Sequence, residues 1–150
     1  MTEYISAVTA LVAVILSPFV SLFIARKQIN TTVLSSNRQQ WINTLRDQIS
    51  ELLSLFMLMN VGHKVKLIGR EEFLQKLERS LLLEARIKLL INPKEEDHTE
   101  LITLIRKAIE EIFRDTKESD LAQLRKVCES IISKSQTILK KEWERVKEGK

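Results

Sequence analysis

Residues 4 to 25 read YISAVTALVAVILSPFVSLFIA, and no charged side chain interrupts them. As a helix rising about 1.5 Å per residue, this stretch is roughly 33 Å long, enough to cross a hydrocarbon core of about 30 Å. A buried core helix and a cleaved signal peptide are the competing readings. A chain of 150 residues rarely buries so long an uncharged run within one soluble domain. A signal peptide needs a basic leader, a shorter apolar run and a small-x-small cleavage site. Here Glu3 precedes the run, the cations Arg26 and Lys27 follow it, and Phe23-Ile24-Ala25 offers no such site. We therefore expect an uncleaved, single-pass anchor with Tyr4 at one membrane interface and Arg26 and Lys27 at the other. Cations gather on the cytoplasmic side, so everything after Lys27 is expected to be cytoplasmic.

The anchor is patterned. At about 100° per residue, Ser6, Thr9, Ala10, Ala13, Ser17 and Ser21 share one stripe, while Leu11, Val12, Ile15, Phe19, Leu22 and Phe23 occupy the opposite face. Lipid suits the bulky face, which leaves the small, hydroxyl-bearing face for protein or water. Ala13, Ser17 and Ser21 form a small-xxx-small series that lets helix backbones approach closely. Two arrangements suit it: a close-packed helix pair, or a ring whose lumen those hydroxyls line. Pro18 removes one backbone hydrogen bond and is expected to kink the helix near Val14.

The remainder reads as four helices. No glycine or proline falls between Pro18 and Gly62, so the anchor either continues inward or breaks near Asn30-Thr31-Thr32. Ser36-Asn37-Arg38-Gln39 has the form of a capping box and is expected to open the first bundle helix. Trp41, Leu45, Ile49, Leu52, Phe56 and Met59 then recur at helical spacing. Gly62 to Gly69 is the first loop. A second helix, from about Arg70 to Ile91, is expected to turn Phe73, Leu74, Leu77, Leu81, Ile87 and Leu90 inward, and Pro93 ends it. Asp97-His98-Thr99-Glu100 is expected to cap a third, with Leu101, Leu104, Ile105, Ala108, Ile109 and Ile112 inward. After Asp115-Thr116, Ser119-Asp120 opens a fourth, carrying Leu121, Leu124, Cys128, Ile131, Ser135, Ile138 and Trp143. The organisation expected is all-α, with an anchor and juxtamembrane helix over 1–35 and a cytoplasmic four-helix bundle over 36–150.

Composition removes most alternatives. Three Gly, two Pro and 5% aromatic residues do not suit an all-β fold. Cys128 is the lone cysteine and there are two histidines, which excludes a disulfide framework and an ordinary structural zinc site. No nucleotide-binding, nucleophile-elbow or metalloprotease motif is present, so no cofactor or metal is expected. A net charge of +4, from 24 cations and 20 anions, fits a solvated helical surface better than a nucleic-acid footprint. Glu110-Glu111 and Glu95-Glu96-Asp97 are expected to be solvated or to serve helix dipoles. Lys140, Lys141, Arg145 and Lys147 alternate with Glu142, Glu144 and Glu148, a mixed exposed face with contact to anionic headgroups or RNA as the alternative. Lys64, Lys66 and Arg70 repeat that signal more weakly, and His63 is expected to be exposed.

Asn92-Pro93-Lys94-Glu95-Glu96-Asp97-His98, between two long helices of a bundle, resembles the HEPN superfamily. Its ribonucleases place a histidine four to six residues after an arginine that is often followed by Asn, Asp or His. His98 stands at the histidine position and Asn92 at the polar one, but the arginine position holds Ile91. A metal-independent RNA cleavage needs the histidine as acid or base and a cation for the phosphorane. With that cation absent, no ribonuclease activity is expected.

The whole architecture, with RQQWINTLRD (Arg38 to Asp47) and NPKEEDH (Asn92 to His98), also resembles the small accessory membrane proteins found beside the RNA-guided RNA nuclease of type VI-B CRISPR systems. The resemblance implies a homo-oligomeric ring in the bacterial inner membrane, a pore that strengthens antiphage defence, and the RNA nuclease as functional partner. Two alternatives stand beside it, a membrane-tethered HEPN-like ribonuclease and a non-enzymatic scaffold.

Overall fold

With neither glycine nor proline between Pro18 and Gly62, nothing in the chain punctuates a helix over that span. The computed structural model, which describes residues 2–64, 67–113 and 119–148, contains one unbroken helix there. This is α1, Thr2–Lys64, which passes through Pro18. At about 1.5 Å per residue it is roughly 95 Å long. It is followed by α2 (Arg70–Leu90), α3 (Glu96–Phe113) and α4 (Ser119–Lys147), and the described residues hold no strand. The apolar N-terminal segment thus continues into the rest of α1 without a break at Asn30-Thr31-Thr32. The Ser36–Gln39 box does not open a helix, because its backbone N–H groups are already bonded within α1. The expected break at Asp115-Thr116 lies outside the described residues, as do Lys66 and the side chains of Lys64, His63 and Leu121.

The C-terminal half of α1 joins α2, α3 and α4 in a helical bundle. Its core takes Leu45, Ile49, Leu52, Phe56 and Met59 from α1, and Leu101, Ile105 and Ala108 from α3. From α4 come Leu124, Cys128, Ile131 and Ile138. The helical spacing that nominated these residues is the cause of their meeting, since positions three and four apart share a face. Ile42, Ile102 and Val127 are also buried. Trp41 is only partly buried; its indole N–H donates to the Leu90 carbonyl at 2.7 Å and ties α1 to the end of α2. Gly62 closes the other end. Its carbonyl accepts from the N–H groups of Leu67 and Ile68, and an added Cβ would stand 3.0 Å from the Ile68 side chain.

α2 departs from expectation. It buries Ser80, Leu83, Glu84 and Ile87, while Leu74 and Leu81 are exposed. The polar residues of its inner face are satisfied: the Ser80 hydroxyl donates to the Lys76 carbonyl at 2.8 Å, and Glu84 pairs with Lys88 and Arg106. Leu81-Leu82-Leu83 spans too much of the helix circumference for one face to hold all three, so two leucines face outward.

Candidate functional site

The N-terminal half of α1 is one candidate region. Every side chain from Ala10 to Ile29 is exposed, and this is the one helix among the described residues apolar and long enough to cross a membrane. Ala10, Ala13, Ser17 and Ser21 share a face of it, with Leu11, Ile15 and Leu22 opposite; the side chains of Ser6 and Thr9 lie outside the described residues. Tyr4, near the start of α1, is 81% exposed. Arg26 and Lys27 follow the apolar run; at about 100° per residue Arg26 projects away from the small-residue face, while Lys27 falls at its edge.

Further along the helix, Gln28, Thr32, Ser35, Gln39 and Asn43 follow near that face, with Lys27 and Arg38 at its edge. From Thr32 onward it borders a groove of about 810 Å³, whose other wall is Trp143 and Val146 of α4. Trp143, expected inward, is 44% exposed there. The ammonium of Lys147 sits 5.4 Å from its ring centroid, a cation–π contact.

The second candidate is the pocket around His98, about 360 Å³, bordered by Arg38 and Trp41 of α1, Asn92 and Glu95 of the α2–α3 turn, and Glu142 and Arg145 of α4. Pro93 ends α2, and Asn92 organises the turn that follows. The Asn92 side-chain oxygen accepts from the Lys94 N–H at 3.1 Å, and its amide donates to Glu95 Oε1 at 3.3 Å. His98 is 4% exposed. Its Nδ1 accepts from the Asn92 N–H at 2.9 Å, so Nε2 carries the ring proton in this arrangement, 4.0 Å from Glu95 Oε2. Asn92 and His98 are therefore bonded to each other, a link that loop spacing alone did not reveal. The His98 ring lies 6.2 Å from that of Trp41.

The cation absent from position 91 has counterparts in space. Arg38 of α1 and Arg145 of α4 both reach this pocket. Glu142, 8% exposed, pairs with both, its Oε2 3.5 Å from Arg38 Nε. Arg145 also donates to Glu95 Oε1 at 3.4 Å. Arg38 Nη1 is buried without a hydrogen-bond partner. Burial alone would raise the Glu95 carboxyl, but the Arg145 charge, with hydrogen bonds from Arg145 and Asn92, holds it below its ordinary range.

Several expectations about charged residues need correction. Asp97 does not cap α3: its carboxylate turns to α4, accepting from Lys134 at 3.1 Å and from Lys141. Glu95 and Asp97 are thus ion-paired, and Glu111 is buried. On the C-terminal helix, Lys141 and Arg145 are engaged within the molecule. Cys128 is buried, and desolvation, with Glu129 nearby, pushes its thiol up to about 11, which leaves little thiolate for chemistry. Among the described residues no group of His, Cys, Asp and Glu is placed to hold a metal ion.

No protein-family model, no curated protein and no solved structure matches this chain.

Proposed function

We propose that this protein is a single-pass membrane protein whose copies assemble into a ring, with the α1 helices lining a water-filled pore and the HEPN-like bundles in the cytoplasm. The observation that carries this reading is the build of α1. Its exposed apolar half has a bulky face suited to lipid and, opposite it, a small face on which Ala10, Ala13, Ser17 and Ser21 stand with no charge between them. A scaffold needs only the anchor and would gain nothing from gathering small and hydroxyl-bearing residues onto one face of it. The resemblance carried by Arg38 to Asp47 and Asn92 to His98 extends the reading. Opening of the pore then permeabilises the bacterial inner membrane during antiphage defence, beside an RNA-guided RNA nuclease.

The test is leakage of ions or dye from liposomes holding the purified full-length protein, with ring size measured in parallel. Ser17→Leu or Ala13→Leu should occlude or dewet the path and abolish leakage, while Ile15→Leu on the lipid face leaves it intact. The ring should survive both stripe substitutions, because the bundles still hold it. A monodisperse wild-type dimer, or leakage indifferent to the stripe, sinks the pore.

A second reading, ribonuclease, is favoured by one observation: Arg38 and Arg145 stand in the same pocket as His98. Against it, Glu142 and Glu95 neutralise both guanidinium groups, and His98 is almost fully covered. Metal-independent cleavage of single-stranded RNA, lost in folded His98→Ala and Arg38→Ala variants, would establish it over the pore.

A further inference from the structure

The outer face of α2 carries an apolar ridge that the bundle does not use. Leu74, Leu81 and Leu82 are about half exposed and Leu89 is 88% exposed; Glu78 and Ala85 lie between them on the same face. Isolated exposed leucines are ordinary, but four aligned on one helix face mark a contact surface.

The same chain carries a receiver for such a ridge. A groove of about 250 Å³ runs between α1 and α4, bordered by Ile49, Leu53, Ile132 and Leu139, with Arg46 and Gln136 at its edge. Ridge and groove cannot meet within one molecule. Arg79 of α2 pairs with Glu51 of α1, whereas Leu53, about 200° further round α1, faces α4. Among the described residues no Cα of α2 lies within 8 Å of one in α4, so the two helices are not neighbours in the bundle. The two surfaces therefore lie on different flanks of the bundle. Charge matches them as well: Glu78 stands within the ridge, and Arg46, held by the Asn43 side-chain oxygen at 3.2 Å, borders the groove.

We propose that the α2 ridge of one copy docks in the α1–α4 groove of the next, a head-to-tail contact between bundles. This rests on the ring reading above and names the surface that builds the ring. The anchor selects this arrangement over ridge-to-ridge pairing, because it holds all copies in the same sense in one membrane. Two ridges related by an axis along the membrane normal would run parallel, bringing Glu71 to Glu71 and Arg86 to Arg86. Running them antiparallel would turn one anchor away from the bilayer. A head-to-tail contact between copies held upright in one membrane generates a ring when its rotation closes. The ridge reaches only the few hundred Å² of the largest apolar patches on monomers, below the roughly 800 Å² per partner of a stable interface. The remainder falls to the small-residue face of α1, so both surfaces are needed.

The test uses the full chain in mild detergent and in nanodiscs, with mass measured across a concentration series. Leu81→Glu combined with Leu89→Glu, both at exposed positions, should weaken assembly at least roughly tenfold while leaving the bundle's helicity and thermal midpoint unchanged. Glu78→Arg should weaken it alone and recover when paired with Arg46→Glu. A Leu82→Cys, Ile132→Cys variant should form an intermolecular disulfide under mild oxidant, with the buried Cys128 as silent background. A wild-type ring that withstands the double glutamate variant, with no crosslink between copies, overturns this contact and leaves the pore standing. A wild-type monomer under all conditions overturns both.

Discussion

α1 contains two apolar segments that differ in what covers them. Residues 42–59 bury Ile42, Leu45, Ile49, Leu52, Phe56 and Met59 against three other helices, and polar residues occupy the face between. Residues 10–29 are at least as apolar, with bulky side chains over much of the circumference, and none is covered. A helix apolar on one stripe asks for a protein partner; one apolar nearly all round asks for lipid. The difference lies in periodicity. One helix carries both segments without a break.

The comparison makes its largest prediction about stability. Phe56→Ala removes a side chain buried to 0% exposure and should cost about 3–5 kcal/mol of bundle stability. Phe19→Ala, in the other segment, should leave the thermal unfolding of the bundle in detergent unchanged. Membrane affinity should respond the opposite way. Ile15→Arg on the lipid face should disfavour insertion by about 2.5–3.5 kcal/mol, read as protein lost from the membrane fraction, with the bundle's midpoint untouched. If Phe19→Ala destabilises the bundle as Phe56→Ala does, the N-terminal segment is covered by protein and the contrast between the two fails.

Much of this was legible in the residues. Leu45 to Met59, Leu101 to Ala108 and Leu124 to Ile138 recur at helical spacing, and burial follows that spacing wherever the polar residues stay outside. α2 broke the pattern. Ser80 and Glu84 are inside because their polar groups find partners there, and hydrophobicity alone cannot anticipate that. The capping box at Ser36 misled for a related reason: a cap matters only where a helix begins, and nothing upstream of it stops α1. The His98 pocket was half visible. Asn92 and His98 stand in one short loop, but Arg38 and Arg145 come from helices 107 positions apart in the chain, and only the packing of α1 against α4 brings them to the histidine.

The smallest effect expected also separates the two segments, because it concerns a charged link only the bundle has. Asp97 joins the start of α3 to Lys134 and Lys141 of α4. Hydrogen bonds from Lys141 and Lys134 hold its carboxyl below its ordinary value of 3.8. A carboxyl whose value is lowered on folding stabilises the native state in its ionised form. That contribution is fully present above the ordinary value and disappears as pH falls through the lowered one. The link lies at the surface, where water and salt screen ion pairs, so the effect should be slight and smaller still in high salt. The measurement is the thermal midpoint of wild type against Asp97→Asn from neutral pH down to strong acid. The wild type should hold a small, constant advantage down to about pH 5 and lose it progressively below about pH 4. Membrane association should be the same for both proteins throughout, since the partners of this charge, Lys134 and Lys141, lie on α4 and not in residues 10–29. An advantage that persists unchanged in strong acid would mean the Asp97 side chain acts through packing and not through its charge, and the α3–α4 link would have to be reassigned to the apolar contacts beneath it.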